Sequence, residues 1–193
     1  MTDTTSASTE RKAHLPGEDG IWLFILGDMI VFGMFFVAFI FYRAQEPTLF
    51  DASQARLNAD LAVVNTLLLL TSSLFVVLAV ESVRRDLVAR ARRLLIVAWL
   101  CGAGFVVIKV IEYREKSAQG INLLTDDFFM YYYMYTGIHL VHVLLGLAFL
   151  AWLIAKCRTA TAADTPSFEV GASFWHMVDL LWIMLFPLLY LVK

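Results

Sequence analysis

Five long apolar segments constrain the fold of this chain more than any other feature. They lie near residues 21–42, 61–83, 93–113, 128–155 and 171–192. A helix needs about 20 apolar residues to cross the hydrocarbon core of a bilayer, and inside that core every backbone polar group must find its partner within the protein. The sequence therefore predicts an all-α fold, an integral membrane bundle of five transmembrane helices.

The remaining residues leave little room for a second domain. Residues 1–20 are rich in Ser, Thr and charged side chains, and predict a flexible N-terminal tail with no cleaved signal peptide. Residues 21–193 predict a single five-helix transmembrane domain whose links are too short to hold a soluble catalytic domain. The net charge of -2 argues against nucleic acid as a partner.

The basic residues outside the segments predict the orientation in the membrane. Nine lie in the N-terminal tail and around the second and fourth links, whereas five lie on the opposite side. Because cytoplasmic loops carry an excess of Lys and Arg, the N-terminus is expected in the cytoplasm and the C-terminus outside. The nine are Arg11, Lys12, Arg84, Arg85, Arg90, Arg92, Arg93, Lys156 and Arg158, and the five are Arg43, Arg56, Arg114, Lys116 and Lys193.

Two pairs of polar residues lie inside the apolar segments with helical spacing. His139 and His142 are three residues apart in the fourth segment, and His176 and Asp179 repeat this spacing in the fifth. Residues three apart share one face of a helix, so the two pairs could face each other. Three interpretations stay open: an interhelical polar clasp, a metal or haem site, and proton handling.

Three further charged residues lie within or at the end of apolar segments. Asp28 lies in the first segment, where burial favours a neutral carboxyl. It is either a proton carrier reached by water or a protonated group that is hydrogen-bonded to a neighbouring helix. Lys109 and Glu112, three residues apart near the end of the third segment, predict a charge-neutralising pair that anchors the helix end.

Taken together, these residues resemble the subunit III family of haem-copper oxidases. The resemblance covers residues 20–192, and its motifs in the fourth and fifth segments are specific in combination. The matching residues are Asp28; Asn65, Thr66, Ser72 and Ser73; Glu112 and Tyr113; Thr136, Gly137, His139, His142, Val143 and Gly146; and Trp175, His176, Asp179, Trp182 and Tyr190.

The resemblance implies a helical bundle with a V-shaped, lipid-filled cleft, packed beside the catalytic subunit. It implies no cofactor in this chain, haem and metal in the partner subunit, and bound phospholipid. In the family the carboxylate matched by Asp28 is associated with proton uptake, and the residues matched by His139, His142, His176 and Asp179 hold the bundle together. The clasp is therefore the interpretation that the resemblance favours.

Within the family, five spans instead of seven are similar to the bacterial quinol-oxidase type and to the accessory protein associated with bacterial nitric oxide reductase, and two local stretches look most like the latter. The stretches are residues 15–22 and 125–133. We therefore predict a non-catalytic accessory protein of nitric oxide reductase in a bacterial inner membrane. The alternatives are a true subunit III of a quinol or cytochrome c oxidase, and a membrane haem- or metal-binding protein that uses His139, His142 and His176.

Overall fold

A computed structural model describes residues 19–192, so nearly all of the predicted tail lies outside the described residues. Five helices in this range are long and apolar enough to cross a membrane. All regular elements within residues 19–192 are helical, which confirms the predicted fold class. The helices are α1 (Asp19–Gln45), α2 (Pro47–Gln54), α3 (Ala59–Arg84), α4 (Val88–Ala118), α5 (Asp127–Lys156) and α6 (Thr165–Tyr190), with a 3₁₀ turn at Ala162–Asp164.

The helices extend beyond the apolar segments from which they were predicted. The segment predicted at 93–113 becomes α4, which begins at Val88 and ends at Ala118, because charged residues with good helix propensity continue it at both ends. The segment predicted at 171–192 becomes α6, which begins at Thr165 with Pro166 in its first turn, where proline is favourable.

A short helix, α2, occupies part of the link between the first two spans. Pro47 stands in its first turn, and its buried residues include Phe50. Phe50 contacts the rings of Phe39 and Phe128 at centroid distances of 5.4 and 5.7 Å. These contacts hold α2 across one end of the bundle, which we call the α2 end; the opposite end, where α1 begins, is the Asp19 end.

The antiparallel pair α3 and α4 forms one wall of the bundle. The buried residues of each helix recur at alternating spacings of three and four, the heptad pattern of helices that pack at a shallow angle. Ser72 Oγ donates a hydrogen bond of 2.8 Å to the carbonyl of Ala98, which ties the two helices together near their middle. In α3 the pattern comprises Ala62, Asn65, Leu69, Ser72, Val76, Ala79 and Val83, and in α4 Ala91, Leu95, Ala98, Gly102, Phe105, Lys109, Glu112 and Lys116.

Helix α6 occupies the centre of the assembly and packs against α3 and α5. The indole of Trp175 lies against the backbones of α4 and α5, at two positions where glycine leaves room for it, Gly102 and Gly146. Helix α1 is the least buried of the five spans. It is attached to α5 by the stacked rings of Phe35 and Tyr135, and by a 2.6 Å hydrogen bond from the Tyr135 hydroxyl to the Phe35 carbonyl.

Candidate functional site

Asp28 and His142 form a polar contact between α1 and α5. Asp28 Oδ1 lies 3.2 Å from His142 Nε2, and both side chains are 13% exposed. His142 Nδ1 lies 2.9 Å from the carbonyl of Ile138. A carbonyl can only accept a hydrogen bond, so Nδ1 carries a proton. The distance between Nε2 and Oδ1 is short enough for one proton to be shared between the imidazole and the carboxyl.

An Asp28–His142 pair that shares one proton carries no net charge, whichever of the two residues holds it. A neutral acid beside neutral imidazole and a carboxylate beside imidazolium both sum to zero. An uncompensated charge at membrane depth costs several kcal/mol, and the pair avoids that cost without a third residue. The second carboxyl oxygen of Asp28, Oδ2, is buried and has no hydrogen-bond partner among the described residues.

His176 forms a separate contact, between α6 and α3. Its Nδ1 lies 2.5 Å from Ser73 Oγ and 3.8 Å from Asp179 Oδ2. Asp179 is buried, and its Oδ1 has no hydrogen-bond partner within residues 19–192. Sequence spacing indicates His176 and Asp179 as candidates, whereas the contact between the imidazole and Ser73 is seen only in the structure.

These three residues are the types found in serine hydrolases, but their geometry does not support that chemistry. In a hydrolytic triad the serine contacts one ring nitrogen and the carboxylate the other. Here both contacts use Nδ1 of His176.

Outside the spans, burial raises the pKa of the Cys157 thiol, which disfavours the thiolate and therefore nucleophilic attack.

His139 packs among aromatic rings and makes no hydrogen bond to the rest of residues 19–192. Its ring is completely buried, stacks on Trp182 at a centroid distance of 5.3 Å and meets the edge of Phe105 at 5.6 Å. Trp182 in turn donates its indole N–H to Thr66 Oγ1 at 2.9 Å. His139 therefore belongs to an aromatic layer to which α3, α4, α5 and α6 all contribute.

The structure does not bring the four residues of the predicted clasp into one cluster. His142 faces Asp28 on α1, His176 faces Ser73 on α3, and His139 lies on Trp182. Spacing within a helix reveals a shared face but not which neighbour covers it, and that is why the expected pairing differs. Within residues 19–192, no group of three or more His, Cys, Asp and Glu side chains is arranged to hold a metal ion.

Lys109 and Glu112 do come together, inside the bundle near the α2 end. Lys109 Nζ lies 2.9 Å from Glu112 Oε2, and both side chains are essentially unexposed. Tyr190 of α6 joins them, since its hydroxyl accepts from Lys109 at 3.0 Å and donates to Glu112 Oε1 at 2.8 Å. The ammonium also lies over the rings of Tyr132 and Trp182, at 5.1 and 5.0 Å from their centroids, where cation–π attraction offsets part of its desolvation.

Several polar contacts at the α2 end were not predicted from the sequence. Arg43 at the end of α1 bonds Asp51 of α2 at 2.6 Å, and Ser53 of α2 donates to Asp126, the N-cap residue of α5, at 2.7 Å. Lys116 of α4 donates to the carbonyl of Arg56. The proline at the start of α2 was the available signal for this helix.

Comparison with known proteins identifies the family. The family described as "Cytochrome c oxidase subunit III" matches residues 14–193. The chain belongs to this family. It is 27% identical to "Cytochrome c oxidase subunit 3" of Bacillus sp. strain PS3, over 98% of this chain and 94% of the relative. It is 28% identical to the Bacillus subtilis protein of the same name, over 100% and 95% of the two chains.

A third relative joins two subunits in one polypeptide. The chain is 26% identical to "Heme-copper oxidase subunit I+III" of Aeropyrum pernix, over 89% of this chain and 22% of the relative. Five membrane-span helices and full-length bacterial subunit 3 relatives make this member of the subunit III family a multi-pass protein of the plasma membrane.

Proposed function

We propose that this chain is the subunit III of an oxygen-reducing haem-copper oxidase and that it stabilises the catalytic subunit I. The observation that carries this proposal is the match over nearly the whole chain to proteins named cytochrome c oxidase subunit 3. The relative named I+III supports the choice of subunit I as partner. It favours a role in which the two proteins work as one unit.

The geometry supports a chain that does no redox chemistry of its own. Several of its membrane-embedded polar side chains make contacts between its own helices: Asp28 with His142, Ser73 with His176, and the Lys109–Glu112 pair with Tyr190. Haem and metal are then expected in the partner. The bound phospholipid, the V-shaped cleft and the cytoplasmic N-terminus stay predictions.

Co-purification tests the identity of the partner. A tagged copy of the full chain is isolated in mild detergent from membranes of its own host, grown with oxygen and with nitrate, beside an untagged preparation. We expect a haem protein that consumes oxygen to be retained on the tagged copy alone. Retention of a haem protein that reduces only nitric oxide would reject this proposal.

The nitric-oxide-reductase branch is the second candidate, and residues 15–22 and 125–133 favour it. The structure describes the second stretch, where Asp126 caps α5 and Phe128 packs under α2. This role is structural and would serve either partner. The subunit 3 relatives named above favour the oxygen-reducing partner, and the co-purification separates the two.

The haem- or metal-binding alternative predicts a different result. It requires His139, His142 and His176 to converge, but their contacts lie on three different neighbours. If the chain held a haem, a His139→Leu variant of the complex would lose one haem per copy. We expect the haem-to-protein ratio of the complex to be unchanged in that variant.

A further inference from the structure

Helix α6, the most buried of the five spans, leaves one stripe of its surface open. The residues of this stripe recur every three or four positions, so they share one face. Polar residues occupy its first half and apolar residues its second half. We call this stripe the α6 seam; it comprises Glu169, Ser173, His176, Leu180, Ile183 and Met184.

The polar half of the seam reaches the middle of the bundle. His176 lies eleven positions after Thr165, the first residue of α6, or about 16 Å along the axis at 1.5 Å per residue. Helix α6 has 26 residues, so His176 lies near the middle of the span. Its side chain is nevertheless 37% exposed, whereas the side chains of Asp28 and His142 are 13% exposed and face each other.

His176 has a hydrogen-bonding atom to spare at this depth. Its Nδ1 shares a hydrogen bond with Ser73 and lies 3.8 Å from Asp179 Oδ2, while no hydrogen bond to Nε2 is found among residues 19–192. Lipid tails offer no hydrogen bond, so an open imidazole nitrogen facing them is costly. A polar group supplied by another molecule removes that cost.

A groove beside the seam provides shape as well as polarity. It runs between α3 and α6 from the Asp19 end to His176, with Val77, Val80 and Ala172 on its walls. Arg84 and Glu169, 2.6 Å apart, lie at its charged end. A groove of about 200 Å³ accepts side chains of a neighbouring helix, but not a whole helix.

The open faces of α4 and α5 have a different character. Trp175, the neighbour of His176, contacts Gly102 of α4 and Gly146 of α5. The large exposed side chains beside these glycines are apolar: Leu100 of α4, and Leu144 and Leu145 of α5. Such faces suit lipid directly. The contrast marks the α6 seam as the face that needs a protein neighbour.

We infer that the α6 seam docks a transmembrane helix of the catalytic subunit, which places a hydroxyl, amide or carboxyl group against His176 Nε2. This inference rests on the proposed function and adds the location of the contact. A helix is the occupant that matches both halves of the seam, because its apolar side chains cover Leu180, Ile183 and Met184 while one polar side chain meets the imidazole. Water would hydrogen-bond to Nε2 but would leave the three apolar side chains exposed to a polar solvent. A lipid tail would cover the apolar side chains but would offer no hydrogen bond to Nε2.

Photo-crosslinking in intact membranes tests the location. A benzophenone amino acid replaces Leu180 of the seam in one variant and Val107 of α4 in a matched control, both large and exposed apolar positions. We expect an adduct with the catalytic subunit from position 180 and none from position 107. Adducts at position 180 that contain only lipid, or only a second copy of this chain, would overturn the inference.

The same experiment separates failure of this inference from failure of the proposed function. If position 107 crosslinks the catalytic subunit and position 180 does not, the chain is still its partner but docks through another face. If no oxygen-reducing haem protein co-purifies with the tagged chain, the proposed function itself fails, whatever position 180 contacts.

A pair of substitutions tests the hydrogen bond. His176→Leu should lower the fraction of catalytic subunit retained in detergent by about three- to twenty-fold, the range measured for interhelical hydrogen bonds in membranes. His176→Gln keeps an amide at this position and should restore most of the retention. Membrane levels of the chain and its melting temperature after release from the complex control for folding. Equal retention in wild type and His176→Leu, at equal chain levels, would count against the contact.

Discussion

The close approach of Trp175 to the backbone of Gly146 provides a quantitative test of the packing. A Cβ atom added at Gly146 would lie 2.6 Å from Cε3 and 2.8 Å from Cζ3 of the Trp175 indole. Carbon atoms in contact are normally about 3.5–4.0 Å apart. In Gly146→Ala the indole or α5 must therefore move by about 1 Å.

The surroundings of the indole determine what that movement costs. Trp175 is 1% exposed, and its far edge lies against Gly102, where an added Cβ would be 2.7 Å from Cη2. The ring cannot retreat without disturbing α4. Overpacking of this kind costs about 1–3 kcal/mol, against a gain of about 1 kcal/mol from the better helix propensity of alanine. The net expectation is a loss of up to about 2 kcal/mol.

Gly137 provides the matched control on the same helix. An added Cβ at Gly137 has no atom within 4 Å, so Gly137→Ala should be neutral or stabilising by up to about 1 kcal/mol. In a chain of this size 1 kcal/mol corresponds to about 2–4 °C in melting temperature. Thermal melting of the detergent-solubilised chain, followed by size-exclusion chromatography, should rank Gly137→Ala at or above wild type and Gly146→Ala several degrees below. Equal melting temperatures for the two variants would refute the reasoning.

Substitutions at three further sites test the buried polar contacts, each by thermal melting in detergent. Lys109→Met should lower the free energy of unfolding by about 3–5 kcal/mol because it leaves the Glu112 carboxylate without its cation. Adding Glu112→Gln should recover much of the loss. A double variant as unstable as Lys109→Met alone would contradict this. Asp28→Asn should be nearly neutral because its amide can donate to His142 Nε2, whereas Asp28→Leu should cost about 1–3 kcal/mol. Equal melting temperatures for these two variants would argue against a hydrogen bond between Asp28 and His142. Asp179→Leu should be more destabilising than Asp28→Asn because it removes the buried carboxyl group beside His176. A melting temperature for Asp179→Leu at or above that of Asp28→Asn would contradict this ranking.

Much of the fold could be predicted because membrane crossing depends on a local property, the length of an apolar run. The five spans follow from it directly, whereas the ends of the helices do not. Val88 and Ala118 extend α4 into charged sequence, where hydropathy no longer indicates helix. Helix α2 is only eight residues long, and what holds it is contact of Phe50 with two other helices, which no local pattern reveals.

The sequence indicated which polar residues form contacts, but it did not indicate which partner each of them contacts on another helix. Spacing of three indicates that Lys109 and Glu112 can meet, and they do, because both lie on one helix. The partners of His142 and His176 lie on other helices, so they depend on how the helices rotate against one another. That rotation follows from the whole set of packed side chains, including the fit of Trp175 between two glycines.

The motif residues of the fifth span, Trp175, His176, Asp179, Trp182 and Tyr190, can be understood together from their contacts. The aromatic members of this motif and His176 each contact residues of other helices, so α6 connects α3, α4 and α5. Histidine, which elsewhere ligates metals or carries protons, makes contacts between helices here, and this use supports the proposal that the oxidase chemistry lies in the partner subunit. The contacts are Trp175 with Gly102 and Gly146, His176 with Ser73, Trp182 with Thr66, Phe105 and His139, and Tyr190 with Lys109 and Glu112. Among these members His176 alone also lies open on the outer surface of α6, which is why the α6 seam, rather than the interior of the bundle, is where this chain is expected to meet the enzyme.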